Sequence, residues 1–185
     1  MAATVNVLVV GAGHNGLVAA TILGRAGLSV RVLEAAEVVG GACRTEHPFE
    51  KAPRVGQSTG AYLLGLMPPE LVQKLGIALP LMRRDPHYFL PTTDERSLLM
   101  GAGRDATEAQ LAQFFSQGDV AADRALQAEL AALREDVAPA WLHTPLSIED
   151  TAERYVRPAL RETFVKLCRG TVGDYLARFE FRSEL

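Results

Sequence analysis

The chain has 185 residues, enough for one domain or for one domain and part of another. With 48% hydrophobic and 22% charged residues, it has the composition of a globular protein with a sizeable core rather than of a disordered one. A net charge of −3 without a basic stripe argues against nucleic acid as a partner. Two well-separated cysteines, Cys43 and Cys168, form neither a CxxC redox pair nor a zinc site, and both are expected to be small, buried or half-buried residues. His14, His47, His87 and His143 are scattered without metal-ligand spacing. No signal-peptide pattern precedes the first strand, and no apolar run reaches the roughly 18 residues of a membrane span. The expected location is therefore the cytoplasm, with peripheral membrane contact left open.

Residues Val5 to Val10 (VNVLVV) form a continuous apolar, β-branched run, the pattern of a strand buried on both faces of a parallel sheet. Gly11-Ala12-Gly13-His14-Asn15-Gly16 follows, then an Ala- and Leu-rich helix from Leu17 to Ala26, closed by Gly27 at a C-cap position. Leu28 to Leu33 is a second strand, ending at Glu34. Strand, helix and strand joined in this way make a crossover unit with parallel strands. Glu37 to Thr59 is loop-like, with Gly40-Gly41, Pro48, Pro53 and Gly56. Helical turns are expected from Ala61 to Gly76, broken at Pro68-Pro69. Pro86 to Leu90 and Arg96 to Met100 flank a polar turn and read as a hairpin.

Beyond Asp105 the pattern becomes helical. Thr107 is the expected N-cap of one helix. Asp119 is the expected cap of a long helix through Val137, with Leu126, Leu130, Leu133 and Val137 on one face. Ser147 begins a further helix, Pro158 suits the first turn of another, and Thr171 to Asp174 reads as a capping box opening the last. The expected fold class is α/β: a Rossmann-type βαβ unit, then a hairpin and a mostly helical region. Residues 1–65 form the dinucleotide-binding part and 66–185 the remainder, with the change to helix near residue 105.

A glycine triplet alone is weak evidence, but this one follows a strand, opens a helix, and is followed by an acid at the end of the next strand. Gly11 allows the tight turn, Gly13 lets pyrophosphate approach the backbone, and Gly16 lets the helix pack on the strand. His14 and Asn15 begin the helix, whose free N–H groups and partial positive charge face the phosphates. Glu34, 23 residues past Gly11, is placed to accept both hydroxyls of the adenosine ribose. Ala35 and Ala36 follow it, so no arginine meets a 2′-phosphate and NADP is disfavoured. NAD and FAD remain. Gly40-Gly41 would let a second stretch of backbone run beside the cofactor, and Arg44, next to Thr45, would bring a charge near its phosphates. That tips the reading to FAD.

VVGAGHNGLVAA and VRVLEAAEVVGGACRTE together resemble the N-terminus of the phytoene-desaturase-like FAD oxidoreductases, nearest the branch labelled pyridine nucleotide-disulphide oxidoreductase-domain proteins. Similarity continues at Tyr62-Leu63-Leu64, Pro68 to Leu71, Leu75-Gly76-Ile77, RDPHYFLP and VGDYLARFEFRSEL, so it spans nearly the whole chain. The resemblance implies FAD held by a glutathione-reductase-like Rossmann domain into which a substrate domain is inserted. Carried over by position, Gly11, Gly13 and Gly16 are the phosphate loop, Glu34 binds ribose, and Gly41 with Arg44 approaches the pyrophosphate. Gln57-Ser58-Thr59 would face the flavin. The two-cysteine motif of disulphide reductases is absent, so dithiol chemistry is not implied. Proteins of this group are usually much longer and return to the FAD domain through a second glycine-rich motif. The chain is accordingly expected to be the N-terminal portion of such a protein, or one piece of a split one.

No catalytic residue stands out, since in such flavoproteins the flavin itself accepts the hydride. His87 and Tyr88, on the hairpin, are more simply packing residues, Trp141 reads as core, and the charges from Asp119 to Arg169 read as solvated faces. The expected function is an FAD-dependent oxidoreductase acting on an apolar or amphipathic small molecule. Its rivals are a non-catalytic dinucleotide-binding module that seeks a complementary chain or self-associates, and an NAD-dependent dehydrogenase.

Overall fold

In the computed structural model, which describes residues 4–101 and 103–183, strand β1 (Val7–Val10) pairs in parallel with β2 (Val30–Leu33), Val7 opposite Val30 and Val10 opposite Leu33. The connection is α1 (His14–Arg25), as a parallel pair requires. α1 begins before its Ala- and Leu-rich run, because Gly13 takes the N-cap position in extended conformation and its carbonyl accepts from Leu17 N at 2.9 Å. Gly27, at φ +87°, ends it in a conformation that a Cβ disfavours.

The strand expected to be buried on both faces is covered on one. Val7 and Val9 are half-buried, whereas Leu8 is 54% and Val10 81% exposed. Four apolar residues in a row, Val7 to Val10, encode two covered faces, and α1 supplies one of them. The loop expected from Glu37 to Thr59 holds a 3₁₀ turn, Gly41–Cys43, and a two-residue antiparallel ladder of β3 (Thr45–Glu46) with β4 (Gln57–Ser58). Elements that short leave no periodicity to read. Of the turns expected between Ala61 and Gly76, only α2 (Pro69–Leu75) forms. Pro69 fits the first helical position, where its missing N–H matters least, and the Pro pair blocks any helix from running in. Arg25 Nη1 donates to Lys74 O at 2.9 Å and so ties the last turn of α1 to that of α2.

The chain divides between Pro80 and Leu81 into two units. The second begins with the expected hairpin, β5 (Tyr88–Pro91) antiparallel to β6 (Ser97–Met100). His87 and Tyr88 are exposed on it. Helices α3 (Arg104–Phe114), α4 (Gln117–Val137), α5 (Ile148–Tyr155), α6 (Arg161–Arg169) and α7 (Val172–Ala177) follow. Leu98, Leu111 and Val120 form the core of this unit, with Leu90, Met100, Phe114 and Phe115 packed around them. Ser147 and Thr171 cap α5 and α7 as expected, each hydroxyl accepting from the residue three further on at 3.1 Å. Pro158 opens a 3₁₀ turn that runs into α6.

Several sequence expectations are corrected here. Thr107 lies inside α3 rather than capping it, and its hydroxyl pairs with the Gly101 backbone at 3.4 Å. Asp119 is the third residue of α4, not its cap; Ser116 caps, and the two side chains satisfy each other's backbone N–H at 3.1 Å. Trp141 is 55% exposed, and both Cys43 and Cys168 are exposed. Isolated residues of these types carry no periodicity, so composition alone had placed them inside. Nor is every helical charge solvated, since Asp119 is 5% exposed. Glu184 and Leu185, the end of the family-like stretch, lie outside the described residues.

Hydrogen bonds from the Ser116 and Ser183 hydroxyls, then from Arg182 N, hold the Asp119 carboxyl well below the usual carboxylate range. A depressed folded pKa gives stability that is complete above the unfolded value of about 4 and is lost as pH falls toward the folded value. Asp119→Asn should therefore lower the melting temperature near neutral pH and flatten its decline between about pH 5 and pH 3. Parallel declines in the two proteins would refute this role.

Candidate dinucleotide site

The site is built where β1 meets α1. Gly11, at φ +94°, turns the chain, and its N–H donates to Leu33 O at 2.7 Å. Ala12 is 1% exposed; its N–H donates to Glu34 Oε2 at 2.7 Å, and its carbonyl accepts from Gly40 N at 2.8 Å. A Cβ on Gly16 would lie 2.1 Å from Gly11 O and 3.4 Å from Val9 Cγ1, so only glycine allows this approach of helix to strand. His14 and Asn15 are exposed on the first turn of α1, which has no side-chain cap and no acidic residue. Its first N–H groups and the positive end of its dipole therefore face outward unopposed.

The second glycine pair comes from the other side. Gly40 bridges to Gly13, and a Cβ on Gly41 would stand 3.0 Å from Gly13 Cα. Gly40 at φ +122° and Gly41 at φ +57° hold conformations that larger residues resist. Arg44 runs back along Gly40, its Cγ 3.2 Å from where a Gly40 Cβ would be. Its Nη2 donates to Glu46 Oε1 at 2.9 Å, while its Nε is buried without a partner among the described residues.

The Glu34 carboxylate accepts from Ala36 N at 3.0 Å as well as from Ala12 N. Those backbone bonds, Ala36's first, lower its pKa, with a smaller pull from the Arg44 charge. It stays ionised at neutral pH, and each oxygen keeps a lone pair free for a ribose hydroxyl. Ala35 is exposed beside it. Thr45 and Ser58 lie opposite each other in the β3–β4 ladder, where Ser58 Oγ accepts from Ala61 N at 3.0 Å.

Two residues complete the site, one that the sequence did not single out and one that it named only within the Gln57-Ser58-Thr59 segment. Ala12 joins both halves through its backbone. Thr59 holds the Gly41–Cys43 turn, its hydroxyl donating to Ala42 O at 3.1 Å and its N–H to Arg44 O at 3.0 Å. The variable position of a Gly-x-Gly turn announces nothing by its type; Thr59 was legible only as a neighbour of Ser58.

Residues 9–66, which contain this cluster, match the family described as NAD(P)-binding Rossmann-like domain. That stretch is similar to a Rossmann-like dinucleotide-binding domain. It is 40% identical over 117 residues to pyridine nucleotide-disulfide oxidoreductase domain-containing protein 2 of Mus musculus, covering 58% of this chain and 20% of that protein. It is 41% identical over 110 residues to an uncharacterized protein of Mycobacterium tuberculosis, with the same coverage of 58% and 20%. The chain thus spans about a fifth of the length of the curated relatives it matches. No solved structure matches it. These findings establish homology to pyridine nucleotide-disulfide oxidoreductase domain proteins and a mixed α/β fold, Rossmann-like at the N-terminus and rich in helices beyond.

Gly13 and Gly16 should separate folding from binding. Gly16→Ala overlaps the Gly11 carbonyl and should cost about 1–3 kcal/mol of stability. Gly13→Ala places its methyl 3.9 Å from Gly41 Cα, an ordinary contact, at an unstrained φ of −72°. It should shift stability by less than about 1 kcal/mol while weakening ADP binding at least about tenfold. Thermal melts and ADP titrations of the two variants check this; equal loss of both properties in each would count against it.

Proposed function

We propose that this chain forms the ADP-binding half of an FAD site, in an oxidoreductase that removes hydride from a C–C or C–N bond of an apolar or amphipathic small molecule. The observation that carries the reading is the approach of Gly40-Gly41 to Gly13, with the unpartnered Arg44 Nε beside it. A phosphate turn alone serves any dinucleotide. A second backbone brought against the first, together with a buried donor lacking an acceptor, suits a pyrophosphate that runs on past the loop toward a further ring system. The fit is steric as well as chemical, since side chains at Gly13 and Gly41 would fill the groove between them.

In this reading, Gly11 to Gly16 and the start of α1 hold the phosphates, and His14 donates to one of them. Glu34 binds the ribose hydroxyls. The Arg44 charge balances the pyrophosphate. Ser58, across the ladder from Thr45, lies toward the flavin. A cleft of about 580 Å³ begins at His14 and Asn15 and is walled by Tyr62, Leu64 and Leu66, which would keep water from the cofactor's far end. The bound flavin supplies the two-electron acceptor. Activity belongs to a protein of the relatives' full length, or to this chain with a complementary one.

The description of the matched family favours NAD(P) as a second reading, and binding decides between them. Purified chain should show flavin absorbance in the region of roughly 350–500 nm, or acquire it on addition of FAD. It should bind FAD at least about tenfold more tightly than NADH, and Glu34→Ala should weaken FAD binding by about tenfold. A colourless protein that ignores FAD and binds NADH would favour the dehydrogenase; one that binds neither would leave an interaction module.

A further inference from the structure

The helical unit contains a cavity of about 580 Å³, walled by Leu111, Phe115, Val120, Leu176 and Phe181. Its volume falls within the roughly 300–1,000 Å³ of small-molecule sites, and its wall is apolar as theirs are. One side is the segment after α7, and that segment is fastened. Asp119 Oδ1 accepts from Arg182 N at 2.6 Å and Ser183 N at 3.3 Å, and its Oδ2 accepts from the Ser183 hydroxyl at 2.6 Å. The chain reaches this latch through Glu180 at φ +53°, a left-handed conformation uncommon for such a residue. Phe181 is thereby held in the wall.

The charge around the cavity has one sign. Besides Asp119, which is engaged by the latch, Asp123 and Glu180 line it, and among the described residues no lysine or arginine does. Asp123 accepts one bond, from Gln127 Nε2 at 3.3 Å. The Arg182 side chain runs along Gly118 instead and takes no part in the lining. An apolar chamber whose charged lining residues are carboxylates disfavours anionic amphiphiles and favours cationic ones.

We propose that this cavity binds a cationic amphiphile, an aliphatic amine whose chain fills the apolar chamber and whose ammonium group sits at Asp123 and Glu180. Such an amine carries a C–N bond of the kind a flavin oxidises, so the inference rests on the proposed function for the ligand's role as substrate, though not for its binding.

Calorimetric titration of the 185-residue chain with decylamine, decanol and decanoate, each below its micelle concentration, tests the proposal. Decylamine should bind at least about tenfold more tightly than decanol, and decanoate more weakly than both. Asp123→Asn combined with Glu180→Gln should abolish the preference for decylamine while leaving decanol affinity within about twofold. Ala177→Trp, which fills the cavity, should remove binding of all three. Equal binding of the three probes, no binding of any, or a preference that survives the double substitution overturns the proposal. ADP titration of the same preparation separates the two readings. Intact ADP binding without amine binding defeats this inference alone, and amine binding without ADP or FAD binding defeats the flavin reading alone.

Discussion

The backbone of Gly16 lies so close to the Gly11 carbonyl that a single methyl group would overlap it at 2.1 Å. The N-terminal unit depends on this approach. It lets α1 start after a turn of only three residues from the end of β1, and so decides where the first N–H groups of the helix point. It also forces Ala12 into the corner of the turn, where water cannot serve its backbone. The amide and carbonyl of Ala12 must then find protein partners, and they find Glu34 and Gly40. The end of β2 and the Gly40-Gly41 pair are thereby fixed to the turn by one residue's polar groups.

The electrostatics follow from the same geometry. The glycine turn gathers positive potential from the start of α1, unopposed by any first-turn acid, and Arg44 adds a full charge. Glu34 is the exception, and its position explains why it does no harm. Its oxygens are turned to the Ala12 and Ala36 N–H groups, at the end of β2. The carboxylate thus helps to hold the turn, and under the proposed function it would face the ribose rather than the phosphates. An acid on the first turn of α1 would have cancelled the field the phosphates need.

What was legible in the sequence was whatever repeats or has a fixed spacing. The β1–α1–β2 unit, the interval from Gly11 to Glu34, the hairpin, and the caps at Ser147 and Thr171 all have such signatures. Asp119 was placed wrongly because aspartate is a good N-cap; with Ser116 three residues earlier, the box moves back and the acid becomes its second half. Ala12 and Thr59 act through bonds to or from the backbone, which residue type does not disclose. The exposure of Leu8 and Val10 is a different case. The sequence states that both faces of β1 are to be covered, and among the described residues α1 covers only the face of Val7 and Val9.

The two units also differ in the range of the contacts that make them. Every part of the dinucleotide cradle lies between Gly11 and Thr59, joined by a crossover and a short ladder, so it needs few contacts between distant residues. A segment of about fifty residues can therefore hold the proposed ADP cradle with contacts of its own. The helical cavity is closed by the opposite means, a carboxylate meeting backbone and hydroxyl donors 63 and 64 residues away. Its wall stands only while those bonds hold, and ordering that length of chain costs entropy that a few hydrogen bonds offset narrowly. Loosening of the segment at Arg182 and Ser183 should thus precede loss of the glycine turn, because the first rests on one buried carboxylate and the second on the backbone itself.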